Sequence, residues 1–309
     1  MRRIFLVSSI LALIAVACSP ATVGGSPRVV ATTTILGDIT TNVVDECGPL
    51  VTTLMPIGQD PHAFQPSANQ AATMQTADLV IANGLDLEQG LDDVLASAER
   101  EGVPVLRVAE QLDPVPFGRH FSATERPTSP GTLDPHVWLD PIRMADGVEL
   151  ITAAAIDQMP DLEACITESG DTYRDAVVTT HQRIEDILSV VPDERRVLVT
   201  NHDSLGYFAD RYRFTILGTV VPSGSTLAEP SPSDLRELVD IMRSARADVI
   251  FAETTEPARL AEAVAAELGY PVDVVELYTG SLGAPGSGAD TYLGLLETDA
   301  RRIADALGR

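Results

Sequence analysis

Residues 161–190, "DLEACITESGDTYRDAVVTTHQRIEDILSV", constrain the fold more than any other part of the chain. The stretch holds no proline, Pro160 and Pro192 bracket it, and Leu162, Ile166, Tyr173, Val177, Ile184, Ile187 and Leu188 recur at roughly helical spacing. Gly170 and the threonines weaken the pattern, but one long helix is its simplest solution. A helix of roughly thirty residues spans about 45 Å, enough to act as a strut between two bodies. Upstream, apolar β-branched runs at 28–33, 50–55, 78–83 and 104–109 alternate with helical patterns such as 67–76 and 86–100. Downstream, runs at 196–200, 214–220, 248–253 and 272–277 alternate with helices near 203–212, 232–245, 256–268 and 289–307. The prediction is an α/β protein of two lobes with mostly parallel sheets, joined by one long rigid helix. Residues 28–160 form the first lobe, 161–191 the linking helix and 192–309 the second lobe, with 115–133 an irregular loop.

The N-terminus points to export. "MRR" is a basic start, and "IFLVSSILALIAVA" is an apolar run too short for a comfortable membrane span. Residues 1–17 read as a removable signal peptide. Cleavage before Cys18 would leave an acylated cysteine and a short tether, residues 18–27, containing "SPATVGGSP". The protein is then a lipoprotein on the outer face of the cytoplasmic membrane. Cleavage by signal peptidase I at the small residues Ala15 and Ala17 would instead release it as a soluble periplasmic protein. Outside the cytosol Cys47 and Cys165 either pair or remain buried free thiols, because sequence does not supply their separation. The formal net charge of −24 excludes nucleic acid as a partner, since that needs cationic side chains against phosphate. It gently favours cations over anions.

The chemistry-bearing residues follow strands. His62, in "GQDPHAFQP", comes shortly after the run at 50–55; His202 directly follows 196–200; Glu253 ends 248–253; Gly280 and Ser281 follow 272–277. Loops beyond the carboxyl ends of parallel strands line the ligand crevice of open α/β sheets. His136, in "DPHVWLDP", sits in a proline-flanked turn that would face the same place. Three neutral imidazoles far apart in sequence make a divalent-metal set assembled by the fold, and zinc suits them best. The rival for each is a bland one: Asp-Pro also initiates turns, and Trp138 and Phe64 read as packing residues. His120 falls in the irregular loop and His181 on what the pattern makes an exposed helix face.

Six segments then occur in order: "GQDPHAFQPSANQAATMQTADLVIANGLDLE" (58–88), "DPHVWLDP" (134–141), "NHDSLGYFADRY" (201–212), "AEPSPSDLRELVDIMR" (228–243), "IFAETTEP" (250–257) and "YTGSLGAPGSGADTYLGLL" (278–296). Together they resemble the zinc/manganese solute-binding protein family of bacterial ABC importers, over nearly the whole mature chain. The resemblance implies a metal held between two lobes, with His62, His136 and His202 as first, second and third ligands. Histidine at the third position is similar to the zinc-type subgroup, where manganese binders usually carry Glu; imidazole is the softer donor. At the fourth position the family motif reads Thr-Asp-Ser, but here it is Thr279-Gly280-Ser281. Water is then the expected fourth ligand, with Glu253 hydrogen-bonded nearby; Glu253, Asp60 or Asp290 are the side chains that would otherwise reach in.

What the resemblance implies is a monomeric, non-enzymatic carrier that captures Zn²⁺, with Mn²⁺ the lesser candidate, and hands it to a membrane permease. A rigid linking helix implies modest loop rearrangement rather than wide closure. Two other functions compete. Three histidines plus water is also a catalytic zinc layout, with Glu253 as general base of a hydrolase. A surface lipoprotein of adhesin-like role, binding manganese or iron, is the other.

Overall fold

The computed structural model describes residues 26–118 and 132–309 of the protein. The expected signal peptide, Cys18 and His120 lie outside the described residues. The first domain has four strands, β1 (Arg28–Ala31), β2 (Leu50–Thr53), β3 (Leu79–Ala82) and β4 (Val105–Arg107), in the order β2-β1-β3-β4, all parallel. Helices α1 (Thr34–Val44), α2 (Ala68–Gln75) and α3 (Asp92–Arg100) connect them. α4 (Pro141–Gln158) and α5 (Glu163–Leu188) follow. The second domain repeats the scheme with β5 (Val197–Thr200), β6 (Thr215–Thr219), β7 (Val249–Glu253) and β8 (Asp273–Leu277), in the order β6-β5-β7-β8, again parallel. Its helices are α6 (Gly206–Tyr212), α7 (Pro232–Ala245), α8 (Arg259–Glu267) and α9 (Tyr292–Leu307). No helix among the described residues is long and apolar enough to cross a membrane.

The observed strands are shorter than the apolar runs at one end or both: β1 stops at Ala31, after which Thr32 and Thr33 turn into the cap of α1, whereas β5, β7 and β8 lose only the first residue of the run. Helix limits follow local chemistry. Thr33 caps α1 by accepting the Leu36 N–H, and Ser231 with Asp234 forms a capping box on α7, where Pro232 is the first helical residue.

The linking helix α5 buries Ile166, Gly170, Tyr173, Val177, Thr180, Ile184 and Leu188, a stripe at steps of three and four that faces α1, α4 and α9. Gly170, a weak point in the pattern, is where α5 meets α4: a Cβ there would lie 2.3 Å from Thr152 Oγ1. One buried apolar cluster runs from β1 and β3 through α1, α4, α5 and α9 to β5 and β7. The domains therefore share a core through the strut, which opposes a wide hinge. Cys47 and Cys165 form a disulfide that ties the turn after α1 to the first turn of α5.

Two expectations need correction. His181 is half-buried rather than on an open face, with Nδ1 3.1 Å from the Tyr212 hydroxyl and its ring against the Tyr212 ring. The eighteen-residue α4 was not expected at all. Its signal was the second Asp-Pro of "DPHVWLDP": Asp140 caps the helix, accepting the Ile142 and Arg143 N–H groups, and Pro141 opens it. Asp140, buried, also accepts two bonds of 2.8 Å from Arg211 on α6, pairing the two domains.

Candidate metal centre

Both sheets reverse their strand order beside the first strand of the domain, and in the second domain that point lies between β5 and β7. His202 follows β5 and Glu253 ends β7, so both stand at the crevice where such folds bind ligands. His62 reaches it from the loop after β2, and His136 from the segment leading into α4. The structure brings the three histidines together, each at least 97% buried. His62 Nε2 is 3.3 Å from His136 Nε2, which is 3.2 Å from His202 Nε2. Among the described residues, these three alone form a group of potential metal ligands with all donor atoms within 4.8 Å of one another.

The Asp-Pro-His repeat is turn chemistry and histidine presentation at once. Asp60 Oδ1 accepts the His62 backbone N–H at 3.0 Å, and Asp134 Oδ1 accepts that of His136 at 2.9 Å. The two turns then differ. Asp134 Oδ1 also lies 2.7 Å from His136 Nδ1. Because that oxygen already accepts the backbone N–H, the ring bond runs from Nδ1–H to the carboxyl. Asp60 instead accepts the Thr226 hydroxyl at 2.5 Å from the other domain, and His62 Nδ1 has no partner among the described residues. Glu253 Oε1 is 2.5 Å from His202 Nδ1 and 3.3 Å from Ser204 Oγ.

These contacts set the tautomers. With Nδ1–H of His136 directed at Asp134 and Nδ1 of His202 2.5 Å from Glu253 Oε1, the Nε2 atoms of both are left to converge as donors when the rings are neutral. Nitrogens 3.2 Å apart are held by a shared proton or, when both rings are neutral in this tautomer, by a cation between them. Zinc–nitrogen bonds of about 2.0–2.1 Å at tetrahedral angles need nitrogens about 3.3–3.4 Å apart, close to the spacing found. The residues present therefore fit a divalent metal.

Electrostatics agree. Burial, then the neighbouring histidines, holds His62 and His136 well below the usual imidazole range. Burial also pulls on His202, but the Glu253 carboxylate, by charge and hydrogen bond, outweighs it and the net shift is upward. Burial would raise Glu253 in turn; the His202 imidazole outweighs that and keeps the carboxylate ionised. Burial pushes Asp134 up to about 8, and burial with the Asp134 charge pushes Asp203 up to about 7. A bound dication would favour the charged form of both.

Of the other candidates, Glu253 and Asp60 are at the site but engaged elsewhere. Asp290 is not there: it is exposed and accepts the Gly286 N–H at 2.9 Å. Sequence reasoning missed Asp134, Asp203 and a support layer beneath His136. In that layer the fully buried Glu88 accepts the Thr32 hydroxyl and the Asn83 and Gly84 N–H groups, and Asn83 Nδ2 holds the Pro135 carbonyl at 3.0 Å. Only the loop position of "NGLDLE" after β3 signalled that layer.

A cavity of about 390 Å³ opens in front of His62, lined also by Leu85, Asp86, Phe117, Ser223 and Ser225. Phe117 stands edge-on to His136, ring centroids 6.1 Å apart, and closes against Gly224 of the second domain. A Cβ on Gly224 would lie 2.2 Å from the Phe117 ring, so only glycine lets the two domains meet here. Gly224→Ala is expected to displace Phe117, cost about 1–3 kcal/mol, and speed metal release several-fold in a chelator-capture experiment. An unchanged release rate would mean that Phe117 is no barrier. Glu253→Gln is expected to lower metal affinity by about 10–100-fold, the usual loss when a ligand's orienting partner is changed; competition with a chromophoric chelator measures it.

Known proteins resemble this chain over most of its length. The manganese-binding lipoprotein MntA of Halalkalibacterium halodurans is 28% identical over 251 residues, 80% of this chain and 79% of that protein. The iron-binding protein YfeA of Yersinia pestis is 27% identical over 238 residues, 77% of this chain and 73% of that one. The structure of the periplasmic zinc-binding protein TroA from Treponema pallidum superposes with a TM-score of 0.81 at 27% identity, covering 92% of this chain and all of that one. It has the same architecture of two parallel-sheet domains and a long helix. The model of the family described as zinc-uptake complex component A, periplasmic (ZnuA), matches residues 29–306, and the chain belongs to that family of metal-binding solute-binding proteins.

Proposed function

We propose that the protein captures Zn²⁺ outside the cytoplasmic membrane, through His62, His136 and His202, and delivers it to the permease of an ABC importer. It does so as a monomeric carrier, not an enzyme, anchored by an acylated Cys18. The observation that carries the proposal is the pair of buried Nε2–Nε2 contacts, 3.3 and 3.2 Å, with Nδ1 of His136 and His202 tied to carboxyl groups. Zinc is favoured over manganese because every donor in the group is imidazole and none is a carboxylate. Relatives named for manganese, iron and zinc show that this fold serves several ions, so the donor set rather than the fold supports the choice. Calorimetric titration with Zn²⁺ and Mn²⁺ tests it: one Zn²⁺ per chain, bound far more tightly than Mn²⁺, is expected. Equal or tighter Mn²⁺ binding would contradict it.

Binding requires neutral imidazoles, and the one most prone to hold a proton is His202, whose affinity for it is raised. As pH falls toward the ordinary imidazole value of about 6.5, His202 takes up a proton first, because its own value lies above that. Zinc affinity then falls by about tenfold per pH unit while one proton competes. His62 and His136, shifted downward, join only at lower pH and steepen the loss. Affinities measured at neutral and mildly acid pH check this, and a flat profile would count against three imidazole ligands.

A further inference from the structure

The loop that carries Gly280 is fixed in place although it brings no donor. Trp138 Nε1 donates to the Thr279 carbonyl at 2.8 Å, the Gly58 N–H to Ser281 Oγ at 2.8 Å, and the Leu282 N–H to Thr34 Oγ1 at 2.9 Å. All three bonds cross from the second domain to the first. Position 280 is thereby pressed against the His62 loop, where a Cβ would lie 3.1 Å from Pro61 Cδ. The carboxylates that hold the histidines are committed, whereas Asp203 has one oxygen without a partner among the described residues. Glu253 holds His202 Nδ1, Asp134 holds His136 through its backbone and ring, and Asp60 holds the His62 N–H and the Thr226 hydroxyl. Swinging one onto a metal would strand a buried donor. No carboxylate oxygen among the described residues joins the three imidazoles within 4.8 Å. Space, in contrast, is at hand: His62 forms part of the wall of the 390 Å³ cavity.

We infer that the metal site is open at one coordination position and takes a small exogenous donor, a monoanion or monocarboxylate, from the cavity in front of His62. The protein then carries its ion as a ternary complex. Three neutral ligands leave the ion's charge uncompensated in the first coordination sphere, which favours an anionic fourth donor over a neutral one. Asp86 in the cavity wall and the net charge of −24 disfavour a donor of higher negative charge. The inference rests on the three-histidine reading above.

Cobalt(II), whose visible bands report its coordination, tests it on the intact chain. The first result needed is one Co²⁺ per chain, displaced by Zn²⁺; a chain that takes neither ion overturns the metal site itself. With that in hand, thiocyanate and acetate are each expected to shift the bands saturably. Gly280→Asp should bind Co²⁺ and lose the response, because its carboxylate closes the position, whereas Gly280→Ala should keep it. Bands indifferent to both anions in the unaltered chain would overturn the inference, placing a protein atom at the fourth position. The Asp203 carboxylate, buried with Oδ2 unpaired, would be the first to examine. Loss of the response in Gly280→Ala as well would also overturn it, because crowding at Pro61 and not ligation would then be responsible.

Discussion

His202→Ala is expected to abolish tight zinc binding, lowering affinity by well over the 10–100-fold that loss of an orienting partner costs. It removes a donor nitrogen outright and breaks the Nε2 contact to His136. It also strands Glu253, which is 98% buried and faces His202 Nδ1. Leaving that carboxylate without its partner destabilises the metal-free chain by about 3–5 kcal/mol unless it takes up a proton. Affinity by chelator competition and melting temperature without metal should therefore both fall. His62→Ala should lower affinity with a smaller loss of metal-free stability, because His62 Nδ1 supports no carboxylate. If His202→Ala bound zinc as well as the parent, the site would lie elsewhere.

The second large effect concerns the strut. Reducing the Cys47–Cys165 disulfide, or replacing both residues with serine, is expected to cost about 3–5 kcal/mol, since the bridge closes a loop of 118 residues in the unfolded chain. The loss should appear as a lower denaturant midpoint in the first domain and strut, which the bridge staples together. Zinc in excess should restore part of it, because a ligand that binds only the folded state stabilises by mass action. Unaltered stability after reduction would show that the shared core alone holds α5 against α1.

Much of this was legible in the chain because its signals were periodic or terminal. The stripe from Ile166 to Leu188 announced the strut, and two series of β-branched runs announced two parallel sheets. His202 and Glu253 were placed by one rule, that crevices lie beyond carboxyl ends of strands. What stayed hidden had ambiguous local chemistry. An Asx turn at Asp134 and one at Asp60 look alike in sequence, yet only Asp134 turns its carboxyl to the ring of its histidine. Asp140-Pro141 reads as a turn and is the start of a helix. Asp290 was near Gly280 in number but not in space, because the glycine-rich turn at 283–288 directs it outward. The Gly224–Phe117 contact had no local signal, since it forms only when the two domains meet.

The central claim is that three imidazoles from two domains hold one ion. X-ray diffraction at the zinc absorption edge, on purified protein whose zinc content has been measured, addresses it most directly. The account predicts one zinc per chain, with a single anomalous peak within bonding distance of Nε2 of His62, His136 and His202. A peak elsewhere, or crystals with zinc supplied and none between these histidines, would contradict it.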